Sequence, residues 1–270
     1  MKLGICTWSF NRSLGFHDKK TKVMDFEQMI HFCAKDLKLG GVDIISDLLP
    51  QSDKNYLLHV KKLCTDLQLT ISCLSPGNNF CQEDDLALEG QIEYVKKWLD
   101  AGYILGAPVL RVFAGWIGKE KHEAVWPNVV KAFRVSAKLA EERGIVLAIE
   151  SHNGGGLLPS SVETFKLLKD INSPWVKLNL DTGNYHDADN YAAIDQSMQH
   201  AVHIHAKIHK LSPQGEELEF DYEKILNIFK KHNYRGFISP EYEGQEDELT
   251  YIPKAIEMIR RTAKKVGYEI

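Results

Sequence analysis

Short β-branched runs alternate with longer stretches of helical period eight times along this chain, and that alternation leaves few folds open to it. The runs are 2–7 (KLGICT), 41–45 (GVDII), 69–74 (LTISCL), 108–113 (PVLRVF), 145–150 (IVLAIE), 176–181 (VKLNLD), 202–207 (VHIHAK) and 236–241 (GFISPE). Between them, apolar residues recur at steps of three and four. Examples are Leu88, Ile92, Val95 and Leu99 within 84–104, and Val129, Ala132, Phe133, Ala137 and Ala140 within 123–143. Tyr251, Ala255, Met258 and Ile259 do the same within 247–266. That spacing puts each set on one helical face. Gly40-Gly41, Gly144 and Gly236 fall between a helix and the next strand, where a capping glycine belongs. Ser160-Ser161 with Glu163 reads as a capped helix start. Strict β-α alternation implies a parallel sheet. Eight units closing on themselves predict an α/β protein, a single (β/α)8 TIM barrel over 1–270. The open alternative is a doubly wound sheet, but the GxGxxG fingerprint is absent after the first strand.

Composition narrows the function classes. The net charge is −4 and no long basic block occurs, which argues against an electrostatic grip on nucleic acid. With 44% hydrophobic residues, the chain can bury a large core without covalent staples. The five cysteines, Cys6, Cys33, Cys64, Cys73 and Cys81, are odd in number and form no CxxC pair. They read as reduced thiols, mostly small core residues, of a cytoplasmic protein. The opening MKLGICTWSF has no long apolar run after its charge, so it reads as a first strand rather than a signal peptide. No stretch approaches the roughly 20 apolar residues of a membrane span. The oligomeric state is left open, a homo-oligomer included.

Barrel enzymes work at the C-terminal ends of their strands. The fifth run ends in Glu150, the sixth in Asp181 and the eighth in Glu241, while the seventh carries His203 and His205. Four successive strands thus bring Glu, Asp, His and Glu to one rim. Carboxylates crowded there would raise one another's pKa unless a cation sat between them. Oxygen-rich ligands with one imidazole suit one divalent ion, Mn²⁺, Mg²⁺ or Co²⁺, with Zn²⁺ as an alternative. Each residue also has a plainer reading: a solvated rim carboxylate, a turn aspartate in DTGN, a packed core histidine. It is their convergence that favours a site.

Four local motifs, AIESH, LDTGN, HIHAK and SPEYEG, resemble those of the xylose isomerase-like barrel superfamily. The likeness runs over nearly the whole chain. It implies a TIM barrel whose metal is held by Glu150, Asp181, His205 and Glu241. His205 is preferred to His203 because the family strand reads His, apolar residue, Lys, here His205-Ala206-Lys207. In epimerase members the glutamates matching Glu150 and Glu241 also move protons on opposite faces of the sugar. One departure stands out: where epimerases usually carry His three residues after the strand-six Asp, this chain has Asn184, with His186 two residues later. Asn cannot shuttle a proton, but it can bond a hydroxyl.

The implied reaction is proton removal beside a carbonyl, with Glu150 and Glu241 as acid and base and a metal-stabilised enediolate. A sugar or sugar-phosphate isomerase or epimerase is the first expectation. Alternatives are a keto-sugar or inosose-type dehydratase on the same site, an endonuclease IV-like phosphodiesterase, and a non-catalytic sugar-binding barrel. The endonuclease needs more metal ligands and a more basic surface. The partner expected is a small sugar-derived molecule. His152, Asn184, His186 and Lys207 are candidate contacts to it, with Trp8 and Trp116 as aromatic walls. His209 is a weaker candidate. The GGG run at 154–156 lacks the Lys of a phosphate-binding loop and reads as a flexible loop or lid.

Overall fold

The computed structural model describes residues 1–152 and 155–270. Its strands are β1 (Lys2–Leu3), β2 (Gly41–Ile45), β3 (Thr70–Ser75), β4 (Val109–Phe113), β5 (Val146–Glu150), β6 (Val176–Asp181), β7 (Ala201–Ile208) and β8 (Phe237–Tyr242). The helices are α1 (Phe26–Lys35), α2 (Lys54–Asp66), α3 (Asp85–Leu105), α4 (His122–Arg143), α5 (Ser161–Ile171), α6 (Asn190–Ser197), α7 (Tyr222–Lys231) and α8 (Glu248–Lys265). Neighbouring strands pair in parallel from β2 round to β8, and β8 pairs with β1. The chain is a single (β/α)8 barrel, as the alternation predicts. No helix among the described residues is long and apolar enough to cross a membrane.

The first strand is shorter than the 2–7 expected. After Leu3 the wall continues through a single parallel bridge, Cys6 to Asp43, and two bonds, Gly40 N–H to Leu3 O (2.9 Å) and Asp43 N–H to Ile5 O (2.8 Å). Thr7–Phe10 then turns into a 3-10 helix. Two side chains of that turn replace the missing ladder. Thr7 Oγ1 accepts from Ile45 N–H at 2.9 Å, and Ser9 Oγ accepts from Tyr242 N–H at 2.9 Å.

The helices pack as their periodicity requires. Leu88, Ile92, Val95 and Leu99 of α3 are buried, as are Val129, Ala132, Phe133, Ala137 and Ala140 of α4. On α8, Ala255, Met258 and Ile259 are buried, while Tyr251 is half-buried and stacks on Tyr242. Every helix except α4 begins on an Asp or Ser whose side chain accepts an orphan N–H of the first turn. Ser160 of α5 is one of them. These caps fix where each strand hands over to its helix.

The expected glycine caps hold only in part. Gly144 ends α4 with φ 64°. After α1 and α7 the left-handed positions go to Lys38 (φ 50°) and Asn233 (φ 52°), not to Gly40-Gly41 or Gly236. Gly41 is needed for a different reason. A Cβ there would lie 2.5 Å from the Phe237 ring and 2.9 Å from Thr70 O, so the wall closes only around a residue without a side chain. Gly41→Ala should therefore lower stability by about 1–3 kcal/mol through overpacking, measured by urea unfolding. An unchanged midpoint would show that Phe237 yields freely.

Candidate metal centre and active site

Glu150, Asp181, His205 and Glu241 meet inside the C-terminal rim. One ligand atom from each lies within 4.8 Å of the others, and all four residues are buried. The register makes this so: Asp181 pairs with His205, and Lys207 with Glu241. Each side chain is then held by a neighbour. Glu150 Oε2 accepts from Asn179 at 2.8 Å, and its Oε1 from Asn184 at 3.3 Å. Asp181 Oδ1 accepts from Gly183 N–H at 2.7 Å. Glu241 accepts from the Cys6 thiol at 3.4 Å and from the Lys207 ammonium.

His205 is oriented by a carboxylate behind it. Its Nε2 sits 2.5 Å from Asp43 Oδ2, and Asp43 Oδ1 accepts from Ser75 Oγ at 2.7 Å. That leaves Nδ1 facing the carboxylates, 3.4 Å from Glu150 Oε2 and 3.8 Å from Glu241 Oε2. His203 is placed differently. Its Nδ1 meets Asn179 Oδ1 at 2.9 Å, and its Nε2 lies 3.3 Å from both Ser72 Oγ and Ser239 Oγ. It therefore braces the amide that holds Glu150.

The charges do not balance within the protein. Glu150, Asp181, Glu241 and Glu243 face Arg111 and Lys207, while Asp43 pairs with His205, whose pKa burial pushes down and Glu150 and Glu241 push up further. Burial, reinforced by Glu241 and Glu150 and opposed by Lys207, lifts the Asp181 carboxyl to about 7. Burial works against the charges of Glu150 and Glu241 too, but His205 with Arg111, and Lys207 with His205, outweigh it and hold both below the usual carboxylate range. Burial likewise opposes the Lys207 ammonium, and Asp181 and Glu241 overcome it. Among the described residues, His205 Nδ1 and Asp181 Oδ2 are buried with no hydrogen bond, although Lys207 Nζ is 3.2 Å from that oxygen. Once His205 gives up its Nδ1 proton, these two atoms beside two further carboxylates make a donor set that a divalent cation would satisfy.

The cluster opens into a cavity of about 360 Å³, the size of a small-ligand site. Trp8, Trp116, His152 and Lys207 line it, together with Phe113 and Arg111. Trp116 packs edge-on against Phe113 and His152 at 4.7 and 5.3 Å. Trp8 packs the same way against Phe16 at 5.1 Å. Asn184 is buried behind Glu150 and also bonds Ser151 O at 3.1 Å, so its amide serves the protein rather than reaching a ligand directly. His186 is exposed and does not line the cavity; its N–H is tied to Pro159 O. His209 binds Glu219 and Glu243 at the cavity's edge. Of the 154–156 run, Gly154 lies outside the described residues, and Gly156 bridges to Trp116.

All five cysteines are free and buried. The family model for the xylose isomerase-like TIM barrel matches residues 33–262. The chain belongs to that family. Solved barrels of the same form include an IolI protein with a binding zinc atom, 16% identical, covering 98% of both chains at a TM-score of 0.79. A D-psicose 3-epimerase with D-tagatose from Clostridium cellulolyticum H10 is 18% identical, with a TM-score of 0.76 over 98% of this chain and 96% of that one. At such identities the likeness is one of fold. The C-glycoside deglycosidase alpha subunit of Arthrobacter globiformis is 29% identical over 75 residues, 25% of this chain, and the chain spans only 21% of that subunit's length.

Sequence reading passed over Asp43, Arg111 and Asn179. Asp43 and Arg111 are charged residues inside strands that are otherwise buried and apolar, and such a residue carries a signal of its own; Asn179 sits in a strand that also holds Lys177 and Asp181 and stands out less. His203 offers a direct check on the buried layer. Burial, against the pull of Asp43, pushes its pKa down to about 4 from an ordinary 6.5. Its folded pKa is depressed, so its stability contribution is complete above pH 6.5 and is lost as pH falls toward 4. The wild-type minus His203→Gln difference in unfolding free energy should shrink by up to about 3 kcal/mol across that window, read by urea titration at pH 7, 6, 5 and 4.

Proposed function

We propose that this family member is a metal-dependent isomerase or epimerase of a sugar or sugar phosphate, acting by proton transfer beside a carbonyl. The observation that carries the reading is the convergence of Glu150, Asp181, His205 and Glu241 on one point at the base of a sugar-sized cavity, with His205 Nδ1 and Asp181 Oδ2 making no hydrogen bond among the described residues. These four residues would hold one divalent ion, Mn²⁺, Mg²⁺ or Co²⁺ by their oxygen-rich chemistry, with Zn²⁺ as the alternative. When bound, such an ion supplies Lewis-acid polarisation of a carbonyl oxygen and offsets the charge of an enediolate.

The protein's own groups divide the remaining work. Glu150 and Glu241 both line the cavity, and both are held ionised, the state a base requires. Glu150 is fixed by two amides, and Glu241 by the Lys207 ammonium. One would take the proton from the substrate carbon, and the same or the opposite one would return it. Lys207 lends Glu241 a proton partner and keeps the rim from over-accumulating negative charge. Trp8, Trp116 and Phe113 give the cavity the apolar walls that pack against a sugar's C–H faces and limit water.

Two experiments test this. Elemental analysis should find about one divalent metal per chain, lost in Asp181→Ala and in His205→Ala. Wild-type protein without metal under any loading condition would end the reading. Glu150→Gln and Glu241→Gln should each lower turnover of keto-sugars by about 10²- to 10⁴-fold, followed by NMR of the product mixture, while each still folds. Loss of water from the product in place of isomerisation would move the assignment to a dehydratase on the same residues.

A further inference from the structure

The cavity contains a cation to which this division of labour gives no part. Arg111 lines it and is only 5% exposed. Its guanidinium lies 3.8 Å from the centre of the Phe113 ring, which fixes its plane. Its Nε is 3.3 Å from Glu150 Oε2. Even so, neither Nε nor Nη1 makes a hydrogen bond among the described residues. Glu150 accepts instead from Asn179 and Asn184, at 2.8 and 3.3 Å. Arg111 thus neutralises Glu150 by proximity while its N–H groups stay unspent. A buried charged donor without an acceptor is costly, and a planar fork of donors in a cavity is suited to an oxyanion.

We propose that Arg111 is a catalytic residue that donates to the substrate oxygen on which negative charge appears when Glu150 takes the proton. This rests on the enolisation reading above. In that step the C–H bond beside the carbonyl breaks, and its proton forms an O–H bond on Glu150. The C–H electron pair becomes the C=C bond of the enediolate, and the carbonyl π pair moves onto oxygen. Negative charge therefore leaves Glu150 and arrives on the substrate. A single guanidinium set beside the carboxylate, with Nη1 unpaired, follows that charge from one oxygen to the other. It stabilises the transition state more than the ground state, which is the condition for a rate gain.

Titration calorimetry on metal-loaded protein tests this without relying on turnover. The probes are glycolohydroxamate, a planar anionic mimic of an enediolate, and D-tagatose, an uncharged ketose. Arg111→Lys keeps a positive charge beside Glu150 but loses the fork; Arg111→Gln loses both. Each variant is first checked for native circular dichroism and for about one metal per chain. Hydroxamate affinity should fall about 10²- to 10³-fold in Arg111→Lys as well as in Arg111→Gln, the size expected for losing one oxyanion donor. D-tagatose affinity should change by less than about 3-fold, since the ketose carries no oxyanion for the fork to meet. Added guanidinium should restore hydroxamate binding to Arg111→Gln. If Arg111→Gln does not fold, Arg111→Lys alone decides. Hydroxamate binding to folded, metal-replete Arg111→Lys within about 3-fold of wild type, a change well below that expected for an oxyanion donor, would overturn the proposal. Failure of the underlying reading shows separately, as wild-type protein that incorporates no deuterium from D₂O into any ketose.

Discussion

Three carboxylates stripped of water and turned toward one another set the terms for everything else at the rim of this barrel. Glu150, Asp181 and Glu241 are nearly inaccessible to solvent, and charges so placed are tolerated only when paired and hydrogen-bonded. The surrounding polar residues answer that demand. Asn179 and Asn184 take the oxygens of Glu150, Lys207 lies between Asp181 and Glu241, and Arg111 leans on Glu150 from the side. What the protein leaves unanswered is confined to atoms that face inward, His205 Nδ1 and Asp181 Oδ2 among them, where a cation could be held.

The second tier is as ordered as the first. Asp43 fixes the ring of His205, and Ser75 fixes Asp43. His203, poised between Ser72, Ser239 and Asn179, anchors the amide that steadies Glu150. Groups drawn from β2, β3, β6, β7 and β8 therefore act on two residues at the top. Such support is what keeps reacting side chains within a fraction of an ångström of their working positions.

How much of this could be read from the chain differs by layer. Strand order and helix faces were legible because hydrophobic period is local: Leu88 to Leu99 and Val129 to Ala140 announce buried stripes without reference to anything distant. Glu150, Asp181 and Glu241 were legible because each ends a strand-like run, and a parallel barrel sends all strand ends to one mouth. Arg111 and Asp43 were not, because a pattern search treats a charged residue within a strand as noise. The role of His203 depends on Ser72, 131 positions away, and no local window contains both. His186 illustrates the opposite error. Counting forward from Asp181 suggested a cavity residue, but the backbone bonds to Pro159 O and the side chain faces solvent.

The seam between β1 and β2 has a mechanical consequence. Here an isolated bridge, two backbone bonds and the hydroxyl of Thr7 do the joining, while that of Ser9 ties the same turn to β8 on its other side. Trp8 stands between those two hydroxyls in the chain and forms a side of the cavity. A lightly fastened line of the barrel thus also carries one of the cavity's aromatic walls. Breathing along it would widen the entrance while β5 to β8, each joined to the next by three or more backbone pairs, keep the charged cluster in register. Give at the mouth and rigidity around the charged cluster would then fall on different arcs of the same cylinder.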